Sequence, residues 1–174
     1  VVGNHEFYHG SQHKTSVKVK AAKSLCPNLH WLNRTVLELG GKRFVGATGW
    51  YNPPNLHWSD FVYIKDAPHL WIREEYLADK EFFEKNVKEG DIVISHMLPS
   101  VECVAPRWEK HPDNGFFVCE MTDLILSAKP AYWLFGHTHD WVDKVVGSTR
   151  TLCASRGYAS DVIAEHANGI IFEV

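Results

Sequence analysis

Three short apolar runs in this chain each end at a turn that carries histidine. The runs and their turns are Val1-Val2 before Gly3-Asn4-His5-Glu6, Ile92-Val93-Ile94 before Ser95-His96, and residues 131–135 before Gly136-His137-Thr138-His139. Short apolar runs bounded by turn residues are typical of strands buried on both faces, although periodicity alone does not separate them from buried helix. We therefore predict three interior strands, each with histidine at its carboxyl end.

Two longer segments have the spacing of amphipathic helices, and a third is shorter. The long segments are residues 11–25 and 73–88, which stop near Pro27 and Gly90. Their apolar faces are formed by Val17, Ala21 and Leu25 in the first and by Tyr76, Phe83 and Val87 in the second. The short helix is predicted around Met121, Leu124 and Ile125.

Two tight turns predict antiparallel hairpins. Residues 35–39 and 43–47 flank Gly40-Gly41, and residues 142–146 and 149–154 flank Gly147-Ser148. A last strand is predicted over residues 169–174. Strands that alternate with helices in some places and pair through turns in others indicate an α/β fold with layered mixed sheets flanked by helices. We expect residues 1–174 to form one domain.

Composition and charge narrow the class of protein. The chain has 174 residues, 45% of them hydrophobic, which is enough for one domain with its own core. The net charge of −3 comes from scattered charges without a basic stripe, so nucleic acid is a less favoured partner. The cysteines are far apart, which favours reduced, mostly buried thiols over a zinc ribbon or a disulfide framework. They are Cys26, Cys103, Cys119 and Cys153.

The start of the chain gives two further expectations. It shows no leader pattern, and no apolar run approaches the ~20 residues that span a bilayer, so we expect a soluble cytoplasmic protein with no membrane partner. The first residue is Val1 rather than methionine, and Val1-Val2 runs directly into the polar motif as though a strand had been cut. We therefore expect an amino-terminal segment to be missing.

The three histidine turns are expected to meet at one edge of the sheet. In open α/β sheets, ligands bind beyond the carboxyl ends of the strands. If these strands are neighbours, the turns bring together Asn4, His5, His96, His137 and His139. Neutral nitrogen and oxygen ligands suit a borderline divalent metal. Because His137 and His139 lie two apart in a turn, they can serve two different ions.

These motifs resemble a known family. Gly3-Asn4-His5-Glu6, His96 after an apolar strand, and Gly136-His137-Thr138-His139 are similar, in order and spacing, to the third, fourth and fifth signature blocks of calcineurin-like metallophosphoesterases. The resemblance runs from Gly3 to about Tyr158. It implies a sandwich of mixed sheets and hydrolysis of phosphate esters by water that two divalent ions activate. Manganese, iron or zinc would suit the nitrogen-rich ligands.

The resemblance also implies roles for individual residues. Asn4, His96 and His137 would hold the second ion, and His139 would reach to the first. His5 would be the general acid at the leaving group rather than a ligand, with Glu6 supporting the turn or His5. Arg156 in Ser155-Arg156-Gly157-Tyr158 could approach the substrate phosphate, although a structural ion pair is the commoner role for such an arginine.

One departure from the family limits these expectations. The first two blocks, an Asp-x-His and a Gly-Asp that would supply most ligands of the first ion, should precede Gly3. Asp140 and Asp143 are expected in a solvated turn and strand edge rather than as substitutes. We therefore expect low or no activity from the isolated chain, with one ion or none bound. A non-catalytic metal-binding or interaction module is the alternative. Self-association through an exposed sheet edge is also expected.

An aromatic, proline-bearing stretch between Trp50 and Trp71 has two interpretations. It could form a lid or specificity loop over the site, but a satellite hydrophobic cluster is the commoner arrangement for such a segment. His57 and His69 within it are expected at the surface.

Overall fold

Among residues 1–54, 57–66 and 68–158, which the computed structural model describes, six strands form one mixed sheet. They are β1 (Thr35–Leu39), β2 (Lys42–Gly46), β3 (Ile92–Ile94), β4 (Tyr132–Phe135), β5 (Trp141–Val146) and β6 (Thr149–Ala154). The strand order is β1-β2-β3-β4-β6-β5. The central strands β2, β3, β4 and β6 run parallel, while β1 and β5 pair antiparallel at the two edges. The predicted mixed α/β architecture is therefore confirmed.

Both hairpins form where the turn residues predicted them. The first pairs Leu39 with Lys42, and Gly40 and Gly41 have φ angles of 60° and 75°. Positive φ at both central residues is the requirement of the tight turn that matches strand twist, and glycine meets it without strain. The second pairs Val146 with Thr149. The predicted strand over 169–174 lies outside the described residues.

The predicted strand at Val1-Val2 is wrong. These residues have no regular structure, and a 3-10 helix follows at Asn4–Phe7. Strands β2 and β3 pair with each other, so the sheet offers no gap between them for a further strand. The Val2 carbonyl instead accepts a hydrogen bond from Thr48 Oγ1 at 2.9 Å.

Four α-helices are described, three of which the spacing predicts. They are α1 (Gln12–Leu25), α2 (Ser59–Tyr63), α3 (Pro68–Asn86) and α4 (Thr122–Ala128). Ser11 caps α1, and α3 buries Trp71, Ile72 and Phe83. The apolar face predicted for α1 does not pack on the core, because Val17 is 51% and Leu25 83% exposed. The buried residue of α1 is Thr15, whose hydroxyl donates to the Glu6 carbonyl.

The core joins the sheet to the aromatic stretch that follows β2. Trp50 and Tyr51 are fully buried and belong to the same cluster as Trp71 and Trp133. The cluster interpretation of this stretch is therefore confirmed for its buried residues, while Trp58 reaches a cavity described below. His57 and His69 are exposed, as predicted.

The cysteines were predicted to be reduced and mostly buried, and the structure confirms this. All four cysteines are free thiols, and three are buried, with Cys26 exposed. Burial raises the pKa of Cys103 to about 11. Within the described part of the chain, no helix is long and apolar enough to cross a membrane.

Candidate functional site

Side chains from three parts of the chain meet beyond the carboxyl ends of the parallel strands. His96 follows β3, His137 follows β4, and Asn4 opens the 3-10 helix Asn4–Phe7. His96 Nε2 lies 3.1 Å from Asn4 Oδ1 and 3.3 Å from His137 Nδ1. The sequence predicted this meeting, for His96 and His137 from strands that are present and for Asn4 from a strand that is not.

The donor atoms of these three side chains suit one divalent ion. Donors bound to a single ion at about 2.0–2.2 Å lie roughly 2.8–3.6 Å apart for angles between octahedral and tetrahedral. Both measured separations fall in this interval. Hydrogen bonds have similar lengths, so the donor type matters as well: two imidazole nitrogens and an amide oxygen are ligands of borderline metals.

Both imidazoles are held in the neutral form. Desolvation, with a smaller contribution from nearby histidines, lowers the pKa of His96 to about 3. The pKa of His137 is also lowered to about 3, mainly by desolvation and then by His5, while the Phe116 backbone acts in the opposite direction. The Nε2 atom of His137 is shielded from solvent and makes no hydrogen bond of normal geometry. Neutral histidine is the form that binds metals.

Backbone geometry brings the ligands close. His137 has a φ of 64°, a left-handed conformation that is uncommon without glycine and turns the chain sharply after β4. A Cβ on Gly3 would lie 2.5 Å from His96 Nε2 and 2.6 Å from Nδ1, so only glycine fits there without movement. At Gly136 the nearest atom to a Cβ would be His96 Nδ1 at 3.5 Å, an ordinary contact. A larger residue would therefore displace His96 from Gly3 but not from Gly136.

His5 lies at the solvent-exposed side of this cluster. Its ring packs on Tyr8, with centroids 4.4 Å apart. Glu6 does not contact His5 through a described hydrogen bond; its Oε2 accepts from the Gly3 N–H at 2.6 Å. Of the two roles expected for Glu6, supporting the turn is the one seen.

Asp60 on α2 is a site residue that sequence reasoning missed. It is fully buried, and its Oδ1 accepts from Asn4 Nδ2 at 2.8 Å and from the Tyr8 hydroxyl at 2.5 Å. Its Oδ2 accepts from the Tyr51 hydroxyl at 2.7 Å. The Ser-Asp pair before an aromatic run reads as an ordinary helix start, so nothing in the sequence indicated a carboxylate that bonds to Asn4.

A cavity of about 1080 Å³ opens from the ligand cluster to solvent. Asn4, His5, His96, His137, His139 and Arg156 all line it. His139 packs edge-on against Tyr158, with ring centroids 4.5 Å apart. The cavity therefore gathers all six residues predicted for the site, while the close contacts join Asn4, His96 and His137.

The family profile for calcineurin-like phosphoesterases matches residues 1–141. The chain belongs to the calcineurin-like phosphoesterase family. Members of this family generally use divalent metal ions to hydrolyse phosphoesters. Comparison with curated protein sequences gave no match.

Solved structures share the fold of this phosphoesterase family member. The chain is similar to the phosphopantetheinyl hydrolase PptH from Mycobacterium tuberculosis, with a TM-score of 0.66 and 14% identity over 91% of this chain and 68% of PptH. A second solved structure has a TM-score of 0.55 and 17% identity, and the match covers 87% of this chain and 55% of that one.

The candidate site contains no acidic side chain in its close cluster of Asn4, His96 and His137. In the part of the chain that is described, no three histidine, cysteine, aspartate or glutamate side chains are grouped as metal ligands. The cluster consists of two imidazoles and the Asn4 amide oxygen, which is a donor set for one ion.

Asp140 lies in the turn that was expected, but its side chain is only 16% exposed. Its carboxylate accepts from Trp108 Nε1 at 3.0 Å and pairs with Arg107 at 2.8 Å, and all three residues line the cavity. Residues from the segment between β3 and α4 therefore contact Asp140, which the turn-like sequence did not indicate. Asp143 is the surface residue expected and pairs with Arg150.

Proposed function

We propose that this chain is the metal-binding part of a phosphoesterase that hydrolyses phosphomonoesters or phosphodiesters. The observation that carries the proposal is the meeting of Asn4 Oδ1, His96 Nε2 and His137 Nδ1, with separations of 3.1 and 3.3 Å, in a member of the calcineurin-like family. Such a fold binds its ligands beyond the carboxyl ends of the parallel strands, and these neutral donors lie there.

Asn4, His96 and His137 would hold one divalent ion, and His139 would reach toward a second. Because the pKa values of His96 and His137 are lowered to about 3, their nitrogen lone pairs are available at neutral pH. Manganese, iron or zinc suits this nitrogen-rich set better than calcium. When bound, the ions supply Lewis-acid stabilisation of the phosphoryl oxygens and activation of water.

His5 would act as the general acid. Its imidazole is exposed at the cavity, where it can donate a proton to the leaving-group oxygen and regain one from solvent. General acid catalysis is typically worth ~10² to 10⁴ in rate. Arg156, exposed in the same cavity, would contact the substrate phosphate through its guanidinium group.

A second function is favoured by the absence of an acidic ligand in the described cluster. Asn4, His96 and His137 carry no negative charge, so they would hold an ion more weakly than a set with a bridging carboxylate. The chain would then be a metal-binding or interaction module without turnover. If the first function holds, the same weak binding of the ion would make the isolated chain a weak phosphoesterase.

The test is metal uptake and turnover of p-nitrophenyl phosphate and bis(p-nitrophenyl) phosphate with Mn²⁺. His5→Ala is expected to lower turnover by ~10² to 10⁴ while metal uptake stays unchanged. His96→Ala is expected to lose both. His30→Ala, an exposed histidine outside the cavity, is the matched control and should change neither. Metal uptake without any turnover would support the non-catalytic module, and failure to take up Mn²⁺ would contradict both functions.

A further inference from the structure

Asp60 is a buried carboxylate, and two of its three hydrogen-bond partners, Asn4 and Tyr8, line the candidate site. It is 0% exposed, and no ion pair of the described residues includes it. Three hydroxyl or amide donors satisfy it instead: Asn4 Nδ2, the Tyr8 hydroxyl and the Tyr51 hydroxyl. Burying a carboxylate costs free energy that hydrogen bonds must offset, so its place beside a candidate ligand calls for a reason.

The first consequence concerns the orientation of the Asn4 amide. An ionised carboxylate only accepts hydrogen bonds, whereas an amide has an oxygen that accepts and a nitrogen that donates. The contact at 2.8 Å therefore requires Asn4 Nδ2 to face Asp60. A flipped amide would place two acceptor oxygens together with no proton between them. Asp60 thus directs Asn4 Oδ1 toward His96 Nε2, at 3.1 Å.

The second consequence concerns His5. Tyr8 donates its hydroxyl to Asp60 at 2.5 Å, and its ring packs on the His5 imidazole with centroids 4.4 Å apart. One carboxylate therefore fixes both the amide of Asn4 and the ring that supports His5.

We propose that Asp60 is a positioning residue: it fixes the Asn4 amide so that its oxygen is presented to a divalent ion, and through Tyr8 it holds the surface on which His5 packs. The inference rests on the proposed function, since it assigns Asn4 as a ligand. Partners that orient a ligand typically change metal affinity by about 10- to 100-fold when they are removed.

The experiment measures binding of Mn²⁺ to the full chain by the loss of the free-ion EPR signal, together with the melting temperature. Asp60→Asn should lower Mn²⁺ affinity about 10- to 100-fold, because the new amide can no longer dictate how Asn4 is oriented. Tyr51→Phe is the matched control, since it removes a buried hydrogen bond to Asp60 Oδ2 and leaves the Oδ1 partners in place. It should lower the melting temperature but keep Mn²⁺ affinity within about threefold.

A reciprocal exchange separates positioning from simple stabilisation. In Asn4→Asp with Asp60→Asn, the amide at position 60 can donate to the carboxylate at position 4, whose second oxygen faces His96. Mn²⁺ affinity should recover at least tenfold relative to Asp60→Asn alone and exceed that of Asn4→Asp, which carries the same added ligand charge. Asn4→Asp by itself would place two carboxylates at the 2.8 Å contact and should lose stability instead. Such non-additivity is the signature of a direct interaction.

The outcomes distinguish this inference from the function on which it rests. Equal Mn²⁺ affinity in the unsubstituted chain and in Asp60→Asn would overturn the inference alone. Equal losses in Asp60→Asn and Tyr51→Phe, or a folded double variant without recovery, would assign Asp60 a stabilising role only and overturn it too. No Mn²⁺ binding by the unsubstituted chain would overturn the metal site itself, and the inference with it.

Discussion

Gly3 lies against the imidazole of His96, and this contact can be tested by adding a single methyl group. In Gly3→Ala the new Cβ would lie 2.5 Å from His96 Nε2, so the ring must move away from Asn4 and His137. Overpacking of this kind typically costs ~1–3 kcal/mol, which corresponds to a loss of roughly 5- to 150-fold in Mn²⁺ affinity if the cost falls on the ligand geometry. Titration with Mn²⁺ measures it.

Gly136→Ala is the matched control for this prediction. Gly136 also adjoins His96, but its added Cβ would stay 3.5 Å from Nδ1. We expect a change in Mn²⁺ affinity of less than about fourfold, below ~1 kcal/mol. Equal losses in the two variants would show that the close approach at Gly3 does not position His96.

Part of the candidate site could be predicted residue by residue, and part could not. His96 and His137 each lie two residues after the end of an apolar strand, and parallel strands end at a common edge, so their meeting followed from the pattern. Asp60 was out of reach because it comes from α2, whose position depends on tertiary packing of Tyr51 and Trp58. The sequence alone does not show whether an aspartate is buried or exposed.

At the level of elements, Asp79 ties α3 to the segment after β2. Its Oδ2 accepts from the N–H groups of Gly49 and Trp50 at 2.8 and 3.2 Å, and its Oδ1 pairs with Arg34 at 2.7 Å. Desolvation raises the pKa of Asp79, an effect that Arg34 and the two N–H groups oppose. The Thr48 carbonyl accepts the His96 N–H at 2.8 Å. Asp79 therefore holds Gly49, the residue that follows Thr48 in the chain.

Asp79→Ala should destabilise the chain by ~2–4 kcal/mol. The substitution leaves two buried N–H groups and Arg34 without their acceptor, and such groups cost their full desolvation free energy. Urea unfolding measures the change. Glu75→Ala is the control, because Glu75 also pairs with Arg34 but both side chains are partly exposed, which limits the loss to ~1 kcal/mol or less. A similar loss in both variants would contradict the role of Asp79.

The elements differ in how far local sequence determined them. Both hairpins formed as predicted, since Gly40 and Gly41 in the first turn and Gly147 in the second allow positive φ. The strand at Val1-Val2 did not form: these residues have no regular structure, and the Val2 carbonyl accepts from the Thr48 hydroxyl. The helix α1 has the predicted spacing, but periodicity does not say which surface a helix packs on, and Val17 and Leu25 are exposed.

At the scale of the whole molecule, the order of the sheet leaves β1 and β5 at its edges among the described residues. These edges differ in how they are protected. Lys144 of β5 donates to the carbonyls of Glu102 and Val104 at 2.8 and 3.0 Å, which holds residues 102–104 beside that strand. On β1, Leu39 is 51% exposed at the end of a short strand. An exposed edge with apolar side chains favours pairing with another copy.

We therefore expect the chain to self-associate through β1, as a concentration-dependent increase in sedimentation coefficient. Leu39→Lys should weaken the association at least threefold, since a charged side chain on an edge strand opposes strand pairing between copies. Val145→Lys on β5, where the replaced valine is 65% exposed, is the matched control and should leave association unchanged because residues 102–104 lie along that edge. A chain that sediments as a monomer at all concentrations would contradict the prediction, and equal weakening by both substitutions would place the contact elsewhere than at β1.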